Sequence, residues 1–324
     1  MMIQFSTAKS SLQYNAINKK SYFRRLMVNI VQYRWTYLML IPVLAYYIIF
    51  HYGPLYGVQI AFKDFAPGLG IWKSKWVGLK HFISFFRSVY AERTIKNTLA
   101  ISIYSLIFSF PAPILLALLL DEIKNIRFKR TIQTITYLPH FVSIVVIAGM
   151  IHDFCATDGL INQLIKMFNP DYSPQGLLGR PELFRTIYIS SGIWQEVGWG
   201  SIIYLSALSG VDAELYEAVI IDGGNRFHRV WHVSIPGILP TVIILLILRI
   251  GSLMSVGFEK IILLYNEATY RTADVISSYV YRRGLLEFNY SFSAAVGLFN
   301  NVVNFILINI ANFLSRKVTE TSLW

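Results

Sequence analysis

An all-α protein that crosses a membrane six times is the fold class this sequence predicts, and three observations predict it. The 324 residues are 55% hydrophobic, with a mean hydropathy of +0.49, a balance typical of polytopic membrane proteins and not of soluble domains. Apolar stretches near 20 residues recur along the chain, each enough to cross roughly 30 Å of hydrocarbon as a helix. Charged residues gather between those stretches. A single cysteine, Cys155, excludes an internal disulfide, so folding needs no oxidising compartment. The net charge of +11 fits loops that lie near anionic headgroups and does not point to nucleic acid.

The elements follow in order. Residues 1–34 carry Lys9, Lys19, Lys20, Arg24, Arg25 and Arg34 and no acid, which marks a cytosolic N-terminal segment by the positive-inside rule. The first span is expected over about 35–60; it is too long for a signal-peptide core and lacks a small-residue cleavage site, so it reads as an uncleaved anchor. Further spans are expected at about 98–120 with Pro111 and Pro113, 131–151 with Pro139, 186–209 with Gly192, Gly198 and Gly200, 238–258, and 292–314. Prolines and glycines are tolerated there because neighbouring helices satisfy the freed backbone groups. Residues 35–316 thus form one six-span domain, with 317–324 as a cytosolic tail. Six crossings return the C-terminus to the cytosol and place 210–237 there as well. Lysine and arginine divide evenly between the two sides; the acid-free N-terminus and the short basic loop Lys124–Arg130 favour this orientation.

Between the fourth and fifth spans lies the run Glu217–Pro236, EAVIIDGGNRFHRVWHVSIP. Asp212 offers an N-cap, and Leu215, Ala218 and Val219 share one face of the helix that follows. Gly223-Gly224 breaks that helix because glycine tolerates a positive φ. Asn225 caps a second helix with Phe227, Val230 and Trp231 on one side, and Pro236 and Pro240 open the next apolar stretch. The product is a helix-turn-helix wedge shaped to dock into a partner.

This run resembles the "EAA" coupling motif of permease subunits in binding-protein-dependent ABC importers. Glu217, Ala218, Asp222, Gly223 and Pro236 match at the right spacing, while Val219, Gly224, Val233 and Ile235 are small or apolar replacements. The stretches WVGLKHF (76–82), YLPHFVS (137–143), GLINQL (159–164), IWQEVGWGSIIYLSALSG (193–210) and ADVISSYVYRRGL (273–285) extend the resemblance over most of the chain after residue 30. They bring it nearest to the oligosaccharide and polysaccharide permeases of bacterial carbohydrate importers. The resemblance implies a multi-pass subunit of the bacterial inner membrane that does no covalent chemistry. It implies a second, homologous permease subunit, a dimer of ATPase subunits that hold ATP and Mg, an external substrate-binding protein and a saccharide substrate. In keeping with that, the sequence has no Gly-rich phosphate loop ending in Gly-Lys-Ser/Thr, so no nucleotide or other cofactor is expected on this chain. Without the resemblance, the residues also leave open a permease for another solute or an ion-coupled carrier, although no inverted halves are visible.

Within the wedge the resemblance implies that Glu217 pairs with a basic group of the ATPase, that Asp222 and Gly223 fix the turn, and that Phe227 and Trp231 pack into the ATPase cleft. Polar residues inside spans supply a candidate substrate path. Arg249 lies mid-span, where a charge costs at least about 2.5–3.5 kcal/mol unless it meets a partner or a watery cavity. Ser252 and Glu259 follow at helical spacing on its face, and Glu196, Gln195, Trp194 and Trp199 lie in the fourth span. Hydroxyl-binding groups beside aromatic rings suit a sugar. A structural Arg249–Glu196 or Arg249–Glu259 pair is the equal alternative. His140 is a further path candidate, as are Asn301 and Asn304, which, with Asn312, suit interhelical hydrogen bonding better. His228 and His232 have the spacing of metal ligands, but nothing in the run completes a site, so no metal is expected. The external segment 63–96, with Lys63, Lys73, Lys75, Lys80, Arg87, Arg93 and Lys96 against Asp64 and Glu92, reads as solvated charge or as a surface for a binding protein or an acidic saccharide such as a uronate polymer.

Overall fold

A computed structural model describes residues 27–319 and 321–324; most of the polar N-terminal segment expected over 1–34 lies outside the described residues. Two compact units make up the chain, Met1–Gln59 and Ile60–Trp324. In the first, helix α1 (Arg34–Tyr47) buries no residue. It continues through a π-helical turn, Ile48–Tyr52, and a 3-10 turn, Tyr56–Phe62, giving an apolar segment of 29 residues, Arg34–Phe62. A helix apolar all round is what a hydrocarbon environment selects.

The second unit opens with a two-stranded antiparallel ribbon, β1 (Lys63–Asp64) against β2 (Lys75–Trp76). Next come the short helix α2 (Lys80–Arg87) and α3 (Val89–Tyr104). A π-turn, Ser105–Ser109, joins α3 to α4 (Pro111–Asp121). The wider turn absorbs Pro111 and Pro113, which cannot donate to the preceding carbonyls, so the second span runs unbroken for 33 residues.

The third span departs from expectation. Helix α5 (Ile126–Tyr137), capped by Asn125, ends where Pro139 opens a 3-10 turn, Leu138–Phe141. Ser143 then caps α6 (Ile144–Cys155), and α7 (Leu160–Phe168) follows. No single helix covers 131–151; the apolar segment lies later, at Ile144–Phe168. Helix α8 (Pro181–Leu208) is the fourth expected span, continuous over 28 residues. Five segments of the described chain are both long and apolar enough to cross a membrane: Arg34–Phe62, Val89–Asp121, Ile144–Phe168, Arg226–Gly251 and Tyr290–Thr319. Helix α8 matches them in length but carries Glu182, Arg185, Gln195 and Glu196. It packs among α4, α5 and the fifth-span helix; Gln195 is buried there, while Glu182 and Glu196 stay exposed.

The wedge consists of α9 (Ala213–Ile221) and α10 (Arg226–Arg229). A π-turn, Val230–Ser234, carries α10 directly into α11 (Ile235–Gly251), so the second wedge helix and the fifth span are one helix. That span stops at Gly251 and not near 258. A Cβ on Gly251 would lie 2.7 Å from Ile308, and Ser252 donates its hydroxyl back to the Arg249 carbonyl. After a turn come α12 (Phe258–Leu264), α13 (Ile276–Tyr281) and the last span, α14 (Tyr290–Thr319). Helix α14 therefore runs into the expected tail, where the Leu323 N–H donates to Asn312 at 2.8 Å.

Three apolar cores hold the second unit together. One joins α6, α8 and α12 through Ile147, Ile151, Phe184, Ile261 and Leu264. A second joins α2, α13 and α14 through Phe85, Ile276, Tyr279, Phe292 and Val296. The third lies at the wedge end of α4, α8 and α11, through Ala117, Leu118, Tyr204, Leu208 and Ile238. Helix α8 approaches α5 so closely that a Cβ on Gly198 would fall 2.1 Å from the Thr136 carbonyl oxygen. Only glycine fits there.

Candidate functional site

The wedge is built by its caps. Asp212 accepts from the Glu214 N–H at 3.0 Å to start α9, and Gly223, at φ +76°, turns the chain. Asn225 accepts from the His228 N–H at 3.1 Å to start α10. Asp222 sits at the C-cap of α9, but the cap is made by its backbone N–H donating to the Ala218 carbonyl at 3.0 Å. Its side chain makes no hydrogen bond among the described residues, so the expected role for that carboxylate in the turn is not what the geometry shows. The Arg229 guanidinium on Glu122 at 2.7 Å ties the wedge to the end of α4, and the Tyr216 and Ser234 hydroxyls, 3.1 Å apart, join its two arms. Glu217 and Ala218 are exposed, and Glu217 has no ion pair among the described residues. Ile221 (85% exposed), Phe227 (83%) and Trp231 (70%) form an apolar tip. Pro236 follows the π-turn Val230–Ser234 at the point where it passes into α11, and the wider turn absorbs the missing N–H, as it does at Pro111. His228 bonds within its own cap, and His232 Nδ1 lies 3.1 Å from the His228 carbonyl oxygen.

The opposite end of α11 opens on a cavity of about 610 Å³. Its wall carries Ser105 from the π-turn after α3, Tyr188, Gln195 and Glu196 from α8, Arg249 and Ser252 at the end of α11, and Lys260 of α12. Arg249 Nη2 donates to Ser105 Oγ at 2.7 Å. Neither expected pair forms. Glu196 Oε2 lies 2.9 Å from His140 Nδ1 instead, and Glu259 is exposed and does not reach the cavity. Because α11 ends at Gly251, the helical face expected to carry Arg249, Ser252 and Glu259 does not exist. Ser252 reaches the cavity from the turn, and Glu259 starts a new helix that points its neighbour Lys260 inward.

The aromatic and amide candidates separate. Trp199 stacks on His140, with ring centroids 4.4 Å apart and planes 3° from parallel; neither ring, nor Trp194, lines the cavity. Asn301 lines a different, apolar groove of about 500 Å³ between α13 and α14. Asn304 is buried; it accepts from the Met254 N–H at 2.9 Å and donates to Ser255 at 2.8 Å. It therefore clamps the turn after α11 and is not part of the path.

Much of the basic charge of the segment 63–96 is internally engaged. Lys63 is buried and donates to the Ile71 carbonyl, Lys80 pairs with Asp64 and Lys96 with Glu92. The Lys80 ammonium, hydrogen-bonded to Asp64, holds that carboxyl below its ordinary range. Arg93 reaches Asp274, which is fully buried and also receives both Nη groups of Arg282. Alongside, Asn97 accepts from Arg185 at 2.9 Å and donates to the Asp274 carbonyl at 3.0 Å. This ion lock joins α3, α8 and α13.

The sequence reading missed Tyr188, Ser105 and above all Lys260. Tyr188 and Ser105 are ordinary in a span. The one available signal for Lys260 was a lysine ending the apolar stretch just after an acid.

Residues 109–320 match the family described as "Binding-protein-dependent transport system inner membrane component". Protein LplB of Bacillus subtilis (strain 168) is 45% identical over 292 residues, covering 90% of this chain and 91% of LplB. The polygalacturonan/rhamnogalacturonan transport system permease protein YteP of the same organism is 41% identical over 309 residues, covering 95% of this chain and 96% of YteP. A chain of the crystal structure of a bacterial alginate ABC transporter, in complex with alginate pentasaccharide-bound periplasmic protein, has a TM-score of 0.85 at 41% identity, over 92% of this chain and 100% of that one. Matched from the wedge to the cavity and along almost its whole length, this chain is a member of the binding-protein-dependent transport system inner membrane component family, a multi-pass membrane permease subunit.

Proposed function

We propose that the chain is one of two permease subunits of an ATP-driven importer of oligo- or polysaccharides, with the wedge at 210–237 and both termini on the cytosolic side. The observation that carries this reading is the arrangement along one helix. An unpaired Glu217 and an apolar tip stand at the wedge end, and a cavity lined by hydroxyl, amide and charged groups lies at the other. An exposed apolar tip of Ile221, Phe227 and Trp231 suits a partner cleft, here that of an ATPase subunit carrying ATP and Mg. ATP binding closes the ATPase pair, the wedge follows, and the spans expose the cavity to one side at a time. The names of the relatives support a saccharide as the substrate, and an external binding protein as its source.

The test is ATP hydrolysis by the reconstituted complex, with substrate-loaded binding protein, across neutral and acidic oligosaccharides, for the wild type and Glu217→Lys. The expected outcome is stimulation by one saccharide class, lost in the variant while the complex still assembles. No stimulation by any saccharide rejects the substrate class. A fully stimulated Glu217→Lys rejects the coupling role. Transport that proceeds without ATP rejects the importer reading in favour of an ion-coupled carrier.

A further inference from the structure

The cavity holds two cations that the fold leaves unsatisfied. Lys260 is only 8% exposed, yet its Nζ donates to the Tyr188 carbonyl alone, at 3.3 Å, with the Tyr188 ring 5.2 Å away. Gly192 leaves the space around it open, since a Cβ there would stand 3.6 Å from the Nζ. Arg249 uses one of its donors, on Ser105. Among the described residues neither cation has a carboxylate within 4 Å. The carboxylate that shares the cavity wall, Glu196, lies 2.9 Å from His140 and attracts Lys260 only at longer range. An ammonium offers three donors and a guanidinium five. Lys260 is buried, where leaving donors unused is costly, and Arg249 is exposed, its remaining donors free to reach a ligand; two such groups facing one space suit an anion.

We infer that Arg249 and Lys260 form a carboxylate subsite that selects acidic saccharides, a uronic acid ring presenting its carboxyl group to both cations in the cavity. The inference rests on the saccharide reading above. The planar guanidinium takes a carboxylate through two parallel N–H donors, and the ammonium adds a point charge. Ser252, Gln195 and the released face of Ser105 stand beside them for ring hydroxyls. Glu196, on the same wall, repels a second carboxylate and so orients the ring with its acid toward Arg249. A lipid headgroup phosphate shares the same anion chemistry, and the experiment separates the two.

The whole complex, without its external binding protein, is placed in phosphatidylcholine nanodiscs and titrated with trigalacturonate and with its fully methyl-esterified form, binding being followed by calorimetry. The acid is expected to bind about tenfold tighter than the ester, or more, as hydrogen bonds to charged groups require. Lys260→Gln and Arg249→Gln should each abolish that preference while ester binding persists, and Lys260→Arg should restore it. The persisting ester binding also shows that the variants fold. Equal binding of acid and ester by the wild type, or equal weakening of both in the variants, overturns the subsite and leaves the saccharide reading standing. Binding of neither overturns both. Loss of acid binding when the discs contain phosphatidylglycerol assigns the cations to a headgroup and overturns the saccharide assignment.

Discussion

The ion lock around Asp274 and the cavity around Lys260 hold buried charge in opposite ways. At the lock, a fully buried carboxylate receives Arg93 at 2.9 Å and Arg282 at 2.8 Å and accepts from the Ser278 hydroxyl, while the Asn97 amide donates to the Asp274 backbone carbonyl. In the cavity, Arg249 and Lys260 have a hydroxyl and a backbone carbonyl between them. A fully paired carboxylate has no oxygen left to offer a ligand, even with Arg93 Nε unpartnered among the described residues, and the cluster serves to fix α3, α8 and α13 to one another. An unsaturated cluster stores binding capacity at the expense of stability.

The strongest way to break the comparison is Asp274→Asn. It leaves two guanidinium groups facing each other in a buried site, and the expected cost is about 3–5 kcal/mol, read as loss of assembled complex and a lower Tm in detergent. Retention of normal stability would show that the paired carboxylate does not hold the lock together. Lys260→Met sharpens the other side. Removing an unsatisfied cation should leave Tm unchanged or raise it, with up to about 1–4 kcal/mol of stabilisation, while transport falls; a clear drop in Tm would mean Lys260 is a structural residue after all. Asn97→Ala is smaller. It strips Arg185 of its side-chain acceptor and should cost about 1–3 kcal/mol, measured by thermal unfolding. Least of all, Ser105→Ala frees Arg249 at a cost of about 1 kcal/mol and should tighten binding of an acidic saccharide slightly, because one competitor for the guanidinium is gone.

The sequence exposed the features that depend on local spacing. The first and last spans, the caps at Asp212 and Asn225 and the positive φ at Gly223 are written in runs of apolar residues and in single side chains with restricted backbone choices. What it hid depends on where one helix stops. Periodicity carried Arg249, Ser252 and Glu259 down one face only if the helix continued past Gly251, but the helix ends there, at a glycine against which Ile308, distant in sequence, packs too closely for a side chain. Partner choice was hidden for the same reason. His140 and Glu196 lie 56 residues apart, and a broken third span was needed to bring them together. Helix α8 shows the converse: its polar residues weaken it as an apolar segment, and two of them, Gln195 and Glu196, line the cavity.

The unbroken passage of α10 into α11 sets the gearing of the molecule. Trp231 at the tip and Arg249 at the cavity stand on one rod, about 27 Å apart at the 1.5 Å rise of an α-helix. A tilt of about 10° at the wedge therefore carries Arg249 sideways by roughly 5 Å over that length, enough to part a guanidinium from anything it grips. The hand that receives the push and the hand that holds the cargo belong to the same arm, and letting go needs no relay between them.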